Sequence, residues 1–372
     1  MRVAIDLRSI MPGGRISGVE NYVINLMRFL SRDDRHYFAF YNSFGAVALP
    51  EFEKAFRVKS TRVPNKIFNL TLGLFGWPKF ENIYGNFDIL WMPDVRPFAI
   101  KDKTKLAVTV HDMSPVTHPK FYSLKRRLWH RFVNYKRTFN RANIIFADSE
   151  YTKYDLIKLF GLPKEKIKVV HLAIDHSKFH TNLDERLKHK VKERYNLPEK
   201  FILSISTVEP RKNISSLISA FEKIEDPETH LVIAGRLGWL YKDLLKQVDK
   251  SPKADKIKLI NYVQEEDKAY LISLSSIVCY PSYYEGFGFV PLEAMACGVP
   301  VITSARTSIP EVVGDAALLI EPYSLSELTA ALNSLLSDDN LRKEMIARGL
   351  ERVKKFDWQN TIKEIGRHLN SL

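Results

Sequence analysis

The sequence predicts an α/β protein of two domains, each a parallel sheet with helices on both faces. Three observations lead there. Short apolar runs alternate with amphipathic stretches along the chain, the pattern of strands joined by crossover helices. The chain has 372 residues, a length for about two domains, and its hydrophobic fraction of 45% is enough to fill two cores. Between Cys279 and Pro300 an apolar run passes through a glycine turn into apolar residues at helical spacing. Such strand-to-helix junctions lie at the carboxyl ends of strands, where ligands collect in this class.

Charge and composition narrow the partners. A net charge of +13 and a pI near 9.4 favour an anion: nucleic acid, an anionic membrane or a phosphate-bearing substrate. The chain shows no RNP, zinc-finger or basic-zipper pattern, no internal repeat and no low-complexity tract, so nucleic acid is a runner-up and no nucleic-acid partner is expected. Met1-Arg2 leads directly into Val3-Ala4-Ile5, and no apolar run reaches the roughly 18 residues of a membrane span. The expectation is a cytoplasmic protein without signal peptide or transmembrane helix. Cys279 and Cys297, the two cysteines, read as reduced structural thiols, and no zinc spacing exists.

Strands are expected at residues 3–7, 37–41, 56–63, 88–92, 106–110, 144–147 and 167–172. After the first strand comes SIMPGGRISG, then a helix with Val19, Tyr22, Val23, Leu26, Phe29 and Leu30 on one face. Ser17 and Gly18 therefore stand at a helix N-terminus, in a loop with Gly13 and Gly14. The loop is either a ligand cradle or a plain connection. His111-Asp112 follows the strand VTV directly. That histidine can face a ligand, cap its strand or bind Asp112.

Two stretches have unusual surfaces. Residues 121–142 read as one basic amphipathic helix, with Phe121, Leu124, Leu128, Phe132, Tyr135 and Phe139 on one side and no acidic residue at all. It is a core-facing stripe with a solvated basic back, or a peripheral contact with an anionic membrane. Residues 66–80, KIFNLTLGLFGWPKF, read as core, with receipt of a lipid-linked acceptor as the alternative.

Residues 176–200 are polar and charged and read as the connection between the domains, with a short helix. The first domain is thus placed at 1–180 and the second at 195–356. The strand FILSIST opens the second domain and runs into Glu209-Pro210-Arg211-Lys212-Asn213 before a helix bearing Leu217, Ile218 and Phe221. Two cations beside a helix N-terminus suit a diphosphate; an isolated pair would be a solvated loop. Further strands are expected at 230–235, 257–263, 277–280, 301–303 and 317–320, and helices at 325–336, 341–356 and from 357 to the end. In the central stretch Gly286 and Gly288 let the backbone approach a ligand, and Pro291 suits a first helical turn. Glu285 precedes the turn and Glu293 lies eight residues on, so both carboxylates face one crevice; alternatively they are a loop charge and a helix-dipole charge.

The spacing of Glu285 and Glu293 is the E-x7-E pattern, and it resembles the signature of retaining glycosyltransferases of family GT4. EPRKN resembles that family's phosphate-binding loop, although Ile205-Ser206-Thr207 stands where many relatives have a glycine. SIPEVVGDAALLIEP resembles the family's sequel to the central motif, and the likeness is densest from Ser204 to Pro322. The resemblance implies the GT-B fold, two facing Rossmann-like domains with an interdomain cleft, and a last helix, 357–372, that returns to the first domain. It places Glu293 on a nucleotide's ribose, and Glu285 with the backbone of Gly286, Phe287 and Gly288 on the sugar hydroxyls. Arg211 and Lys212 fall on the diphosphate, Val263 near the base, Ser17 and Gly18 under the diphosphate, and His111 near the transferred sugar. It also implies retention of anomeric configuration, and the EPRKN variant resembles bacterial polysaccharide mannosyltransferases, which points to GDP-mannose. UDP- and dTDP-sugars are alternatives, as is a catalytically silent nucleotide-sugar-binding scaffold. The acceptor would be a glycan or lipid-linked glycan, and peripheral attachment to the inner face of the cytoplasmic membrane would bring the enzyme to it. No D-x-D occurs, which agrees with metal-independent transfer and no cofactor.

Overall fold

The structure is a computed structural model that describes residues 1–10, 18–30, 36–44 and 56–372. Gly13, Gly14 and Ser17 lie outside the described residues. The chain divides into two compact units. The first comprises Met1–Thr117, Leu124–Leu172 and Trp358–Leu372; the second comprises His118–Ser123 and Ala173–Asp357. Residues 118–123 and 173–180, which the sequence assigns to the first domain, therefore group with the second.

The first unit holds β1 (Val3–Asp6), β2 (Tyr37–Asn42), β3 (Arg57–Thr61), β4 (Ile89–Met92), β5 (Lys105–Val110), β6 (Ile144–Ala147) and β7 (Ile167–Val169). They form one sheet in the order β3-β2-β1-β4-β5-β6-β7, with every pair parallel. The second unit holds β8 (Phe201–Ile205), β9 (His230–Ala234), β10 (Ile257–Ile260), β11 (Ile277–Tyr280), β12 (Val301–Ser304) and β13 (Leu318–Ile320). Their order is β10-β9-β8-β11-β12-β13, again parallel throughout. Central strands β1, β4, β8 and β11 are buried at every position. Helices on both faces leave such strands no solvent side, hence their unbroken apolar runs. In both sheets the strand order reverses about one central pair, β1/β4 and β8/β11, the switch points at whose carboxyl ends ligands collect in this class of fold.

Several strands stop short of their expected limits. β8 ends at Ile205, not Thr207, and β10 ends at Ile260, not Val263. The apolar pattern continues into the loops because those residues are buried too, Val208 at 2% and Val263 at 7% exposure. Stretch 121–142 is two helices, Leu124–Val133 and Tyr135–Arg141, broken at Asn134, which has φ +52° and whose side chain accepts from the Arg137 N–H. Stretch 66–80 is core only in part: Phe68, Leu72 and Phe80 join the core of the first unit, whereas Ile67, Leu70, Leu74, Phe75 and Trp77 are exposed. Its helix, Asn65–Phe75, buries only Phe68 and Leu72. The final helix, Trp358–Asn370, packs within the first unit, where Trp358 is fully buried against Tyr22 and Phe29.

Gly235 at the end of β9 shows how tightly the strand ends of the second unit converge. Its φ is +139°, and a Cβ there would lie 1.9 Å from the carbonyl oxygen of Ser206. Both conformation and space require glycine. Gly235→Ala should cost more than about 2 kcal/mol in urea unfolding. A loss within about 0.5 kcal/mol would mean that the β8 and β9 ends are free to move apart.

Candidate functional site at the β8/β11 switch point

The loops after β8 and β11 leave adjacent central strands, so residues more than seventy positions apart meet. Pro210–Lys212 forms a single 3-10 turn, and Asn213, with φ +55°, reverses the chain into helix Ile214–Phe221. Its side-chain amide donates to the carbonyls of Pro281 (3.1 Å) and Pro322 (2.7 Å), tying three loops together. The N–H of Tyr283 donates to the carbonyl of Arg211, 2.9 Å away.

Glu285 is the centre of this junction. Arg211 Nη1 is 2.8 Å from its Oε2 and Lys212 Nζ is 2.6 Å from its Oε1. Arg211 also donates to the carbonyl of Tyr284 at 2.7 Å and lies 3.0 Å from Glu209 Oε1, and Lys212 donates to Tyr280 Oη at 2.5 Å. All three charged groups are nearly out of solvent, with 8–13% of each side chain exposed. Burial alone would raise the Glu285 carboxyl, but Arg211 and Lys212 outweigh it and hold it at about 2. Burial pushes the Lys212 ammonium down, and neighbouring Arg211 adds to this while Glu285 opposes it. Glu285 is thus an anion at any working pH. It accepts hydrogen bonds and attracts developing positive charge, and it has no proton to give.

The backbone after Glu285 is held from below. Its N–H donates to Thr307 Oγ1 at 3.1 Å, and Ser308 Oγ lies 2.9 Å from its carbonyl and 3.1 Å from that of Phe287. Gly288 has φ +106°, and a Cβ there would meet Ile309 Cδ1 at 2.5 Å. Helix Phe289–Ala296 follows, and the N–H groups of its first turn have no partner inside the helix. Glu293 is on this helix, 1% exposed, with Lys268 Nζ 2.8 Å from Oε1 and 2.7 Å from Oε2. Burial acts against the Lys268 charge, but Glu293 and Glu265 prevail and raise it. Glu265, the first residue of helix Glu265–Ser273, is raised by burial. Val263 is buried just before that helix.

Of the residues singled out in sequence, Arg211, Lys212 and Glu285 are thus in direct contact, and Gly286, Phe287 and Gly288 form the adjoining turn. Glu293 stands on the helix this turn opens, while Gly18 and His111 belong to the first unit. Gly18 begins helix Gly18–Leu30. His111 Nδ1 is 2.7 Å from Asp148 Oδ2 and Nε2 is 2.8 Å from the carbonyl of Pro93. Its partner is therefore Asp148, whereas Asp112 caps the next turn through the N–H of Ser114 at 2.8 Å. Burial would lower the imidazole, but Asp148 overrides it and the group is raised to about 9. With acceptors at both nitrogens it is an imidazolium.

Sequence reading missed Lys268, whose one local sign is its place three residues after Glu265, on the same helix face. It also missed the aromatic row across the Glu285 loop: Phe121 stacks on Tyr283 (5.7 Å) and Tyr283 on Tyr323 (4.7 Å). Among the described residues no group of three or more His, Cys, Asp or Glu could hold a metal ion.

Paired Rossmann-like sheets with an anion-seeking loop at a switch point define the class of GT-B glycosyltransferases, and known proteins supply the family. Residues 16–178 match the family description Glycosyltransferase Family 4, and residues 185–352 match Glycosyl transferases group 1. The O-antigen chain mannosyltransferase B of Escherichia coli is 35% identical over 269 residues, 71% of this chain and 70% of that protein. The O-antigen chain mannosyltransferase RfbU of Salmonella typhimurium is 27% identical over 262 residues, 70% of this chain and 68% of that protein. Among solved structures, sucrose-phosphate synthase from Thermosynechococcus elongatus covers 100% of this chain and 98% of its own, with a TM-score of 0.81 at 20% identity. Anabaena HepE in complex with UDP-glucose covers 100% of both chains, with a TM-score of 0.75 at 18% identity. The chain belongs to glycosyltransferase family 4, and it is a glycosyltransferase.

The His111 charge has a pH signature. A folded value of about 9 lies above the ordinary 6.5, so its stabilising effect is complete below about pH 6.5 and is lost as pH rises through about 9. His111→Gln should therefore lose on the order of 3 kcal/mol relative to wild type at pH 6, with the gap closing by pH 10 in urea titrations. A gap independent of pH would show that the histidine is neutral.

Proposed function

We propose that the protein is a retaining mannosyltransferase that takes mannose from GDP-mannose and adds it to a glycan or lipid-linked glycan in cell-surface polysaccharide synthesis. The observation that carries the chemistry is the pairing of Arg211 and Lys212 with an ionised Glu285 at the switch point. A diphosphate leaving group gains negative charge as the glycosidic bond breaks, and two buried cations lower the barrier to that step. Glu285, held at about 2, attracts the oxocarbenium-like carbon and accepts from sugar hydroxyls. Both its oxygens are engaged by cations, so it is a poor covalent nucleophile. This supports same-face attack, with the departing phosphate helping to deprotonate the acceptor.

In this reading Glu293 accepts from the ribose hydroxyls, Val263 lies near the base, and Gly286, Phe287 and Gly288 hold the sugar. The family resemblance assigns Ser17 and Gly18 to the diphosphate and His111 to the transferred sugar. Transfer is metal-independent, the cations and the helix N-terminus taking the metal's place. Mannose is supported by the two relatives described above, both of them O-antigen chain mannosyltransferases. A UDP-sugar is the second reading, supported by the UDP-glucose complex of HepE. No helix among the described residues is long and apolar enough to cross a membrane, and a cytoplasmic protein peripheral to the inner face would meet a lipid-carried acceptor.

A thermal-shift panel against GDP, UDP, dTDP and ADP, with Glu293→Gln alongside, tests the donor. A nucleotide at 100 times its dissociation constant adds about 2.7 kcal/mol, so GDP alone should raise the melting temperature, and less so in the variant. Arg211→Ala should lower kcat about a hundredfold or more, and wild-type turnover should persist in excess EDTA. A shift with UDP alone would replace the donor; no shift with any nucleotide would favour a silent scaffold.

A further inference from the structure

Helix Asn65–Phe75 presents an apolar face to water. Ile67, Leu70 and Leu74 fall at i, i+3 and i+7, one stripe of the helix, and they are 56%, 49% and 60% exposed. Phe75 and Trp77 extend it at 75% and 64% exposure. Helix Leu124–Val133 buries only Val133 and leaves Leu124 and Leu128 exposed at 69% and 61%.

The two stripes meet. Leu124, Leu128 and Phe132 follow one another at i, i+4 and i+8, and the Phe132 ring lies on Gly73 so closely that a Cβ there would be 2.4 Å from its Cζ. Arg137 Nη1 reaches the Gly73 carbonyl at 3.4 Å. Within one unit, two helices thus form a continuous apolar face. Lys125, Arg127 and Arg131 flank it on one helix and Lys66 on the other, and neither 62–80 nor 113–147 contains a carboxylate.

An exposed apolar face of this kind marks a contact surface, and its charge selects the partner. A protein interface has a rim in which cations are mixed with acidic residues, whereas a one-signed basic rim around Leu, Phe and Trp fits the boundary between anionic headgroups and acyl chains. We infer that this two-helix face docks the protein peripherally on an anionic lipid bilayer. Helix Asn65–Phe75 inserts its apolar stripe, and helix Leu124–Val133 contacts the headgroups. The inference rests on the membrane-face part of the proposed function and is independent of donor and sugar.

Co-sedimentation of the full chain with vesicles tests it. Binding to vesicles containing phosphatidylglycerol should be strong and salt-sensitive, and binding to pure phosphatidylcholine weak. The exposed double substitutions Leu70→Gln/Leu74→Gln and Lys125→Gln/Arg127→Gln should each weaken binding about tenfold or more, with melting temperature and nucleotide response unchanged. Equal binding to both lipids, or variants that bind like wild type, would overturn the inference. So would a lipid-free dimer that Leu70→Gln/Leu74→Gln converts to monomer while vesicles go unbound, because the face would then join two copies of the chain. Vesicle binding without any nucleotide response would support the surface and count against the donor reading alone.

Discussion

The parallel pairing of β8 with β11 is the constraint on which the candidate site depends. Because these two strands are neighbours, the loop that carries Arg211 and Lys212 leaves the sheet beside the loop that carries Glu285. An ionised carboxylate with about a tenth of its surface exposed would be costly alone, as would either cation. Together they satisfy one another and fix both loops, with Asn213 and Ser308 bracing the backbone on either side. The same arrangement that offsets desolvation gathers two cations at the carboxyl end of the sheet, the feature on which the proposed phosphate contact rests.

The same solution recurs nearby and in the first unit. Glu293 is buried with Lys268 on it, and His111 is held charged between Asp148 and a carbonyl. Each is a charge kept at the end of a parallel strand or on the helix that follows it. Such positions combine low dielectric with fixed partners, so little reorganisation is needed when a ligand's charge changes.

What the sequence reveals follows from how local the signal is. Strands such as β8 and β11 are visible as short runs of large apolar residues, and the turn at Gly286–Gly288 as glycine between two periodicities. Arg211, Lys212 and Glu285 stand out by motif, but their mutual contact is a matter of sheet order, which no local pattern contains. Lys268 is silent because a lysine on a helix is ordinary until the buried Glu293 faces it. The helix at 65–75 misleads in the other direction: its composition is that of a core throughout, yet it buries Phe68 and Leu72 and leaves Leu70 and Leu74 exposed. Asn134 ends one basic helix and starts another because a left-handed residue interrupts a stripe whose spacing alone looks continuous.

The first unit is assembled from three separate stretches of chain, the last of which begins at Trp358. That indole is fully buried, stacked on Phe29 at 5.8 Å and against Tyr22 at 5.9 Å. During synthesis, therefore, the sheet of the first unit is made well before the side chain that covers helix Gly18–Leu30, because Trp358 follows the whole of Ala173–Asp357 in the chain. The second unit, nearly contiguous, can close earlier. Removing the chain from Trp358 onward would leave the loops after β8 and β11 untouched and uncover helix Gly18–Leu30.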